Sequence, residues 1–366
     1  MEQQSHELPH IPHDLVVEIF TRLPVKSLLK FKCVSKSWLA LISTPHFIKN
    51  HLKKSSQNQD FNHHRLIAPC AAPHYTPKLC SLQSLIQEPI TCAAEIDIPV
   101  KSTPTSSVSV VGSCNGLVCI VVDCIEVFLW NPSTRKSKKV IDSGFVRRQH
   151  CYTIYGFGYN ETNDDYNVVT IFRALNDVKI ESKIYSLNND NWRRIEDFPG
   201  FLPCYSWGKY VNGKLHWPGY SGKHDRAVVS LDLEKAKYGE LKLPISGDVG
   251  SNPVVGVLRK CLCVIYEDQR SNVDLWVMKE YGVKDSWVKI LSFPSLGVRG
   301  HVPLCVSREG EVLLQIGSIF KLHNLQNDSM MYPKIMNMDN CSDGTIYVEG
   351  LVSVKANDEE VQRQHG

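Results

Sequence analysis

The chain of 366 residues has no long apolar run and little net charge. Its most apolar window, GLVCIVVDCIEVFLW, carries Asp123 and Glu126, whereas a bilayer span needs about 20 largely uncharged residues. The first twenty residues lack the basic stretch and apolar stretch of a secretory signal. A net charge of +3 is too small to indicate a general polyanion partner. We therefore expect a soluble protein of the cytoplasm or nucleus, without a membrane or nucleic-acid partner.

The sequence also lacks the short motifs of common catalytic and metal sites. There is no G-x-S-x-G, H-E-x-x-H or G-x-x-x-x-G-K-[ST], and no G-x-G-x-x-G that opens a helix. The thirteen cysteines include no C-x-x-C pair; Cys114, Cys119 and Cys124, at intervals of five in a strand-like segment, come nearest to metal-ligand spacing. Reduced, buried thiols are expected in a reducing compartment. These absences predict a non-catalytic protein with no metal site and no cofactor.

Before about position 55, the spacing of the apolar residues is typical of short helices. Apolar residues recur at helical intervals, as at Leu15 and Ile19. Pro24 suits the first position of a second helix. Ser35 is a typical N-cap for a third helix, which would end before Pro45. Helices this short are marginal alone, so the three must bury their apolar faces against one another or against a partner.

These helices carry more apolar side chains than so small a module can bury internally. We therefore expect an interface in which apolar anchors are surrounded by basic residues. The predicted anchors are Ile11, Pro12, Leu15, Ile19, Leu23, Pro24, Leu28, Phe31, Val34 and Trp38. The predicted basic rim consists of Lys26, Lys30, Lys32 and Lys36. The alternative is that the same apolar face packs on the residues that follow.

The helical segment resembles the F-box of plant proteins. The resemblance covers residues 11–52 and rests on many fixed spacings, among them RLPVKSL at 22–28 and FKCVSKSW at 31–38. It implies an F-box at 8–52 that binds the Skp-type adaptor of a cullin-based ubiquitin ligase, and then a linker at 53–65. A scaffold that uses these helices outside a ligase is the alternative.

From about residue 61 onward, short β-like runs alternate with turn signals. Runs such as NVVTIF, KIYSL and AVVSLDL are rich in β-branched and aromatic residues, and no long helical pattern intervenes to form βαβ units. The segment DNWRRIEDFP at 190–199 returns as DSWVKILSFP at 285–294, 95 positions later. The turn glycines Gly116, Gly213 and Gly310 recur at intervals of 97.

A unit that returns every 95–100 residues corresponds to two blades of a β-propeller, because a four-stranded blade takes about 40–50 residues. Residues 66–355 would then form about six blades, followed by a disordered tail at 356–366. A β-sandwich with coincidental matches is the alternative. The predicted fold class is α+β and multidomain, with a small three-helix module followed by a mainly-β propeller.

This second half resembles the F-box-associated region of plant F-box/kelch-repeat and S-locus F-box proteins, through segments such as GSCNGLVCI, LWNPSTRKSKKV and VNGKLHW. The resemblance implies a kelch-like propeller that binds the protein to be ubiquitinated, while a separate enzyme transfers ubiquitin. Recognition residues are expected on loops at one end of the propeller. The candidates are Trp207, Tyr220 and Arg299.

Overall fold

The computed structural model describes residues 12–70, 76–100, 107–144, 151–174, 180–200, 206–221, 225–244, 252–298 and 300–354. Ile11, Arg299 and the predicted tail at 356–366 lie outside these ranges. In the described part of the chain, no helix is long and apolar enough to cross a membrane. The same residues contain no group of three or more His, Cys, Asp or Glu side chains that could hold a metal ion.

A helical module opens the described chain. It consists of α1 (His13–Phe20), α2 (Val25–Phe31), α3 (Lys36–Ser43) and α4 (Pro45–Gln57). The three predicted helices are α1 to α3. Ser35 caps α3 as expected, since its Oγ accepts a hydrogen bond from the Trp38 N–H at 3.1 Å.

The fourth helix, α4, is absent from the sequence-based prediction. The Thr44 Oγ1 accepts from the Phe47 N–H at 3.2 Å, and Pro45 occupies the first helical position. Proline is favoured there because its missing N–H would be unpaired in any case. Pro45 therefore ends one helix and begins the next, and the predicted linker at 53–65 starts inside α4.

Six four-stranded antiparallel sheets follow as blades. Blade 1 contains β1 (His64–Pro69), β2 (Pro77–Ser81), α5 (Leu82–Gln87), the outlying β3 (Ile90–Cys92) and β4 (Ala94–Glu95). Blade 2 consists of β5 (Val108–Cys114), β6 (Leu117–Val122), β7 (Glu126–Asn131) and β8 (Lys136–Lys139). Blade 3 consists of β9 (Cys151–Asn160), β10 (Asp165–Ala174), β11 (Ile180–Ser186) and β12 (Asn191–Arg194).

The second half of the ring has the same organisation. Blade 4 consists of β13 (Lys209–Val211), β14 (Lys214–Ser221), β15 (Asp225–Asp232) and β16 (Lys237–Lys242). Blade 5 consists of β17 (Val254–Leu258), β18 (Cys261–Glu267), β19 (Asn272–Met278) and β20 (Trp287–Pro294). Blade 6 consists of β21 (His301–Val306), β22 (Glu311–Ile316), β23 (Ile319–Asn324) and β24 (Met330–Met331). A further strand, β25 (Lys334–Met336), pairs in parallel with β3.

The ring is closed by the last strand, β26 (Thr345–Val348), which pairs antiparallel with β1 from His64↔Val348 to Ile67↔Thr345. Blade 1 thus takes its innermost strand from the C-terminal end of the chain. Six hydrophobic clusters lie between neighbouring blades, including one between blade 6 and blade 1. Because no blade can bury both faces alone, this closed stacking is what supplies the core. The propeller prediction, with six blades, is confirmed.

The predicted two-blade period is visible in the topology. The repeated DNWRRIEDFP and DSWVKILSFP segments contain β12 and β20, the outer strands of blades 3 and 5. Gly116, Gly213 and Gly310 lie in the turns between the first and second strands of blades 2, 4 and 6. All three have positive φ, at +82°, +73° and +84°. Such turns favour glycine because it has no Cβ to clash in this conformation.

Alternating strand direction gives the propeller two different ends. One end, the module face, collects the turns between first and second strands and between third and fourth strands. The distal face collects the connections between second and third strands and those between blades. β26 ends at the module face, so the chain after Val348 continues there.

The cysteines that the structure describes are free thiols, and most of them are buried. Burial raises the pKa of Cys80 and of Cys305 to about 12. Cys114 and Cys119 are buried in blade 2, whereas Cys124 is exposed in a turn. The buried thiols therefore contribute to packing, and their raised pKa values disfavour the reactive thiolate.

Candidate functional site

An aromatic cluster organises the helical module. The rings of Phe20 and Phe31 stack with centroids 5.3 Å apart, and Trp38 meets both edge-on at 4.9 and 5.4 Å. Around this cluster, Val25, Leu28, Ile42 and Phe47 are buried. The module therefore has a core of its own, small but continuous.

Part of the predicted apolar face stays exposed after the module has packed on the propeller. On α1, Leu15 is 55% exposed and Ile19 49% exposed; a spacing of four residues places them on the same side of the helix. Pro12, Pro24 and Val34 are exposed as well. For these residues, the alternative that the face packs on downstream residues does not hold.

The remaining predicted anchors are less accessible. Leu23, Phe31 and Trp38 are half-buried in the module core. The prediction that Leu28 is an interface anchor is wrong, because its side chain is completely buried and has no surface to offer a partner. It faces inward since α2 packs against α3 on that side, so Leu28 stabilises the module instead of forming an interface.

One exposed apolar residue was not among the predicted anchors. Leu39, on α3, is 47% exposed. The signal lies in the helical spacing of Trp38, Leu41 and Ile42, which turn toward the core and leave Leu39 on the outside.

Basic side chains surround the exposed face. Lys26, Lys30 and Lys36 are exposed, whereas Lys32 is half-buried. The one carboxylate of α1's second turn, Glu18, is held by Lys54 at 2.6 Å and by Arg22 at 2.7 Å. Hydrogen bonds from these two cations lower the pKa of Glu18. Asp14, beside Leu15, is exposed as well. The exposed face thus combines apolar side chains with an excess of basic ones.

The joint between module and propeller centres on the segment after β26. Leu351 is 5% exposed and belongs to the same hydrophobic cluster as the core of the module. Asn131, at the end of β7, donates to the carbonyls of Gly350 at 3.0 Å and Val352 at 2.8 Å. Lys49 on α4 contacts Asp164 of blade 3 at 2.6 Å. The module is therefore fixed to the module face by both apolar and polar contacts.

Three histidines are buried at the joint. The His51 Nε2 lies 2.9 Å from the Leu23 carbonyl oxygen, and the rings of His51 and His63 are 5.8 Å apart. Burial lowers the pKa of all three, that of His64 to about 4. They are consequently neutral near pH 7.

Models of two protein families match the sequence of this chain. One describes the F-box associated beta propeller domain and matches residues 76–348, and the other describes the F-box domain and matches residues 8–50. The chain belongs to the F-box-associated β-propeller family. The plant F-box resemblance is confirmed.

Relatives of this F-box protein are found in Arabidopsis thaliana. An F-box/kelch-repeat protein is 34% identical over 96% of this chain and 99% of its own length. The F-box protein CPR1 is 31% identical over 77% of this chain and 72% of its own length. Among solved structures, one chain of a nidogen/laminin complex has a TM-score of 0.50 at 10% identity, covering 79% of this chain and 99% of that one. The last likeness concerns the fold alone.

Two of the three candidate recognition residues of this F-box protein, Trp207 and Tyr220, lie at the distal face. Trp207 is half-buried between blades 3 and 4, with its ring 6.2 Å from that of Tyr155. Tyr220, near the end of β14, donates from its hydroxyl to the Asn252 Oδ1 at 2.9 Å. Both side chains have structural contacts that account for part of their surface. The third candidate, Arg299, lies outside the described residues.

Other apolar side chains of the F-box protein are exposed at the distal face. They are Ile125, Leu296, Val298 and Ile319. Leu296 and Val298 closely precede Arg299, one of the predicted recognition residues, in the sequence. Exposed apolar side chains on a loop indicate a binding surface more directly than charged ones do. Covering them with a partner removes apolar surface from water, which lowers the free energy.

Proposed function

We propose that this F-box protein is the substrate-recognition subunit of a Skp-cullin-F-box ubiquitin ligase in the cytoplasm or nucleus. In this function the F-box binds the Skp-type adaptor and, through it, the cullin. The distal face of the propeller binds the protein to be ubiquitinated. The chain supplies binding surfaces, and a separate enzyme transfers ubiquitin.

One observation supports the proposal above others. The F-box and the distal loops occupy opposite ends of one closed propeller, so a partner at one end leaves the other end free. Holding a substrate near the ubiquitin-transfer enzyme raises its effective concentration, which requires no reacting group from the receptor.

The adaptor would bind at the exposed apolar face of the F-box. Leu15, Ile19, Val34 and Leu39 supply apolar surface, and covering it releases water at about 25 cal/mol per Å². The exposed lysines around them favour an acidic partner and speed its association. Interface energy concentrates in a few central anchors, and we assign that role to Leu15 and Ile19.

The test is a double substitution, Leu15→Asp with Ile19→Asp. Both side chains are exposed, so the fold should persist, whereas Leu23→Ala would also disturb the module core, against which the Leu23 side chain is half-buried. Each anchor should contribute about 2 kcal/mol, and the double variant should bind the purified adaptor at least about a hundredfold more weakly. Ile141→Asp, at an exposed position of the propeller, is the matched control.

Co-purification from plant cells then separates ligase from scaffold. The ligase role requires both adaptor and cullin with the wild type and with Ile141→Asp, and neither with the double variant. Adaptor without cullin would favour the scaffold function. Undiminished adaptor binding by the double variant would refute the assigned anchors.

A further inference from the structure

A cleft of about 550 Å³ opens at the joint between the helical module and the propeller. Its walls come from the end of α4 and the segment after it, from the β17–β18 turn of blade 5, and from β21 with the following turn in blade 6. We call it the joint cleft. Its size is typical of sites for organic molecules, and neither the F-box interface nor the distal face uses it.

The joint cleft is lined by three cationic side chains, those of Arg259, Lys260 and Arg308. The Arg259 guanidinium donates to the carbonyl oxygen of Ser307, the residue before Arg308, at 2.7 Å. No Asp or Glu is among the described residues that line the cleft. The Asp60 carboxylate lies 3.9 Å from Arg308, and both side chains are largely exposed. The cleft therefore presents a net positive charge.

Part of the joint cleft is apolar and aromatic. The Phe61 ring meets the His64 ring edge-on with centroids 5.1 Å apart, and Leu304, Val306 and Ile346 add apolar surface. Neutral polar residues line the rest, namely Ser56, Gln57, Asn58, Gln59 and Ser307. His64 is buried, and its Nδ1 has no hydrogen-bond partner among the described residues. A group that fills this cleft must cover apolar surface and carry negative charge toward the opening.

Two of the basic residues, Arg259 and Lys260, occupy backbone conformations that an Asn-Gly pair adopts with less strain. Arg259 and Lys260 have φ of +47° and +64°. At the same turn of blades 2 and 4 stand Asn115-Gly116 and Asn212-Gly213, the residues that such a turn favours. A bulky side chain at positive φ is strained. The strained turn thus places two exposed cationic side chains in the lining of the cleft.

We infer that the joint cleft binds an amphipathic organic anion, a molecule with a carboxylate, sulfonate or phosphate on an apolar body. The apolar body contacts Phe61, Leu304 and Ile346, and the anionic group pairs with Arg259, Lys260 and Arg308. Because the walls belong to both the module and the propeller, the occupant strengthens the joint and narrows the range of F-box orientations. The inference stands whether or not the chain acts in a ligase.

The test exploits the unusual turn. Arg259→Asn with Lys260→Gly installs the pair found in blades 2 and 4, so it removes two cations and relieves the strain. The variant also loses the hydrogen bond from Arg259 to the Ser307 carbonyl oxygen, so we expect an unfolding temperature close to that of the wild type. Lys279→Gln with Lys284→Gln, at exposed positions in blade 5 outside the cleft, changes the net charge equally.

The probe is 8-anilinonaphthalene-1-sulfonate, titrated by fluorescence against the full-length chain, with decanoate and decanol as competitors. We expect one saturable site in the wild type and in the Lys279/Lys284 variant, displaced by decanoate and at least tenfold less readily by decanol. The Arg259/Lys260 variant should lose at least tenfold in affinity for decanoate. Decanoate should raise the unfolding temperature of the wild type and not that of this variant.

Three results would overturn the inference. The first is the absence of a saturable site in the wild type. The second is equal displacement by decanol, since the cleft would then be merely apolar. The third is decanoate affinity in the Arg259/Lys260 variant equal to that of the wild type while the variant remains folded.

Discussion

Replacing Leu351 with alanine should loosen the helical module from the propeller without opening the ring. Leu351 is 5% exposed and completes the core of the module from outside the module's own sequence. The substitution removes three carbon atoms, worth about 0.8 kcal/mol each by transfer from water. The cavity left behind adds to this, so we expect a cost of about 3 kcal/mol. For a module of short helices, that is a large share of the available stability.

Hydrogen exchange read by mass spectrometry measures this cost locally. Peptides from α1 to α4 should exchange about a hundredfold faster in the Leu351→Ala variant, because their opening becomes about 3 kcal/mol easier. Peptides from blades 3 to 5 should keep the rates of the wild type. Leu243→Ala is the matched control, since Leu243 is equally well buried but packs between blades 4 and 5.

The reasoning fails if the amides of α1 to α4 exchange at wild-type rates in the Leu351 variant. It also fails if Leu243→Ala accelerates those helices to the same extent, because the module would then only report the stability of the whole chain. Either result would mean that the segment after β26 does not complete the module core.

Two further outcomes follow from the turns and the buried histidines. Gly116→Ala should lower the free energy of unfolding by about 1–3 kcal/mol, because φ is +82° and the new Cβ would lie 3.2 Å from the Gly350 Cα. Gly213 has φ +73°, but a Cβ there would stand in open space. Gly213→Ala should therefore lower the free energy of unfolding by less in the same thermal unfolding assay. Burial lowers the pKa of His64 from 6.5 to about 4. Between these two pH values the unfolded chain binds a proton at this position and the folded chain does not. The free energy of unfolding therefore falls as the pH drops from 6.5 toward 4. The loss should reach about 3 kcal/mol, and His64→Phe should show that much less pH dependence over the same window; equal dependence would contradict it.

The propeller was predictable because its signals are local and repeated. The recurrence of Gly116, Gly213 and Gly310 gave the blade size, and the alternating apolar runs gave the strands. The composition of blade 1 was not predictable in the same way. Arg65 and Glu349 pair at 3.1 Å across 284 positions of sequence, and nothing local in either strand indicates a partner so distant.

The F-box surface was predictable in its position and only partly in its residues. Apolar spacing placed Leu15 and Ile19 on a helix face, and both are exposed. It failed at Leu28, because a seven-residue helix is too short for its periodicity to tell the inner side from the outer. The prediction also missed α4, because Pro45 was interpreted only as the point before which the third helix ends. The joint escaped prediction because it depends on Leu351, which the sequence places far from every helix it touches.

The late position of Leu351 bears on how the chain is made. A ribosome completes α1 to α4 long before it adds the residue that fills their core, and the ring gains its last inner strand at nearly the same moment. A transcript cut short anywhere before Val348 would therefore yield neither a closed propeller nor a fully packed F-box. Such a fragment would compete poorly for any partner of the intact protein, and its exposed apolar surface would mark it for removal by chaperones and proteases. The order of synthesis thus makes binding competence a late event, reached by whole molecules only.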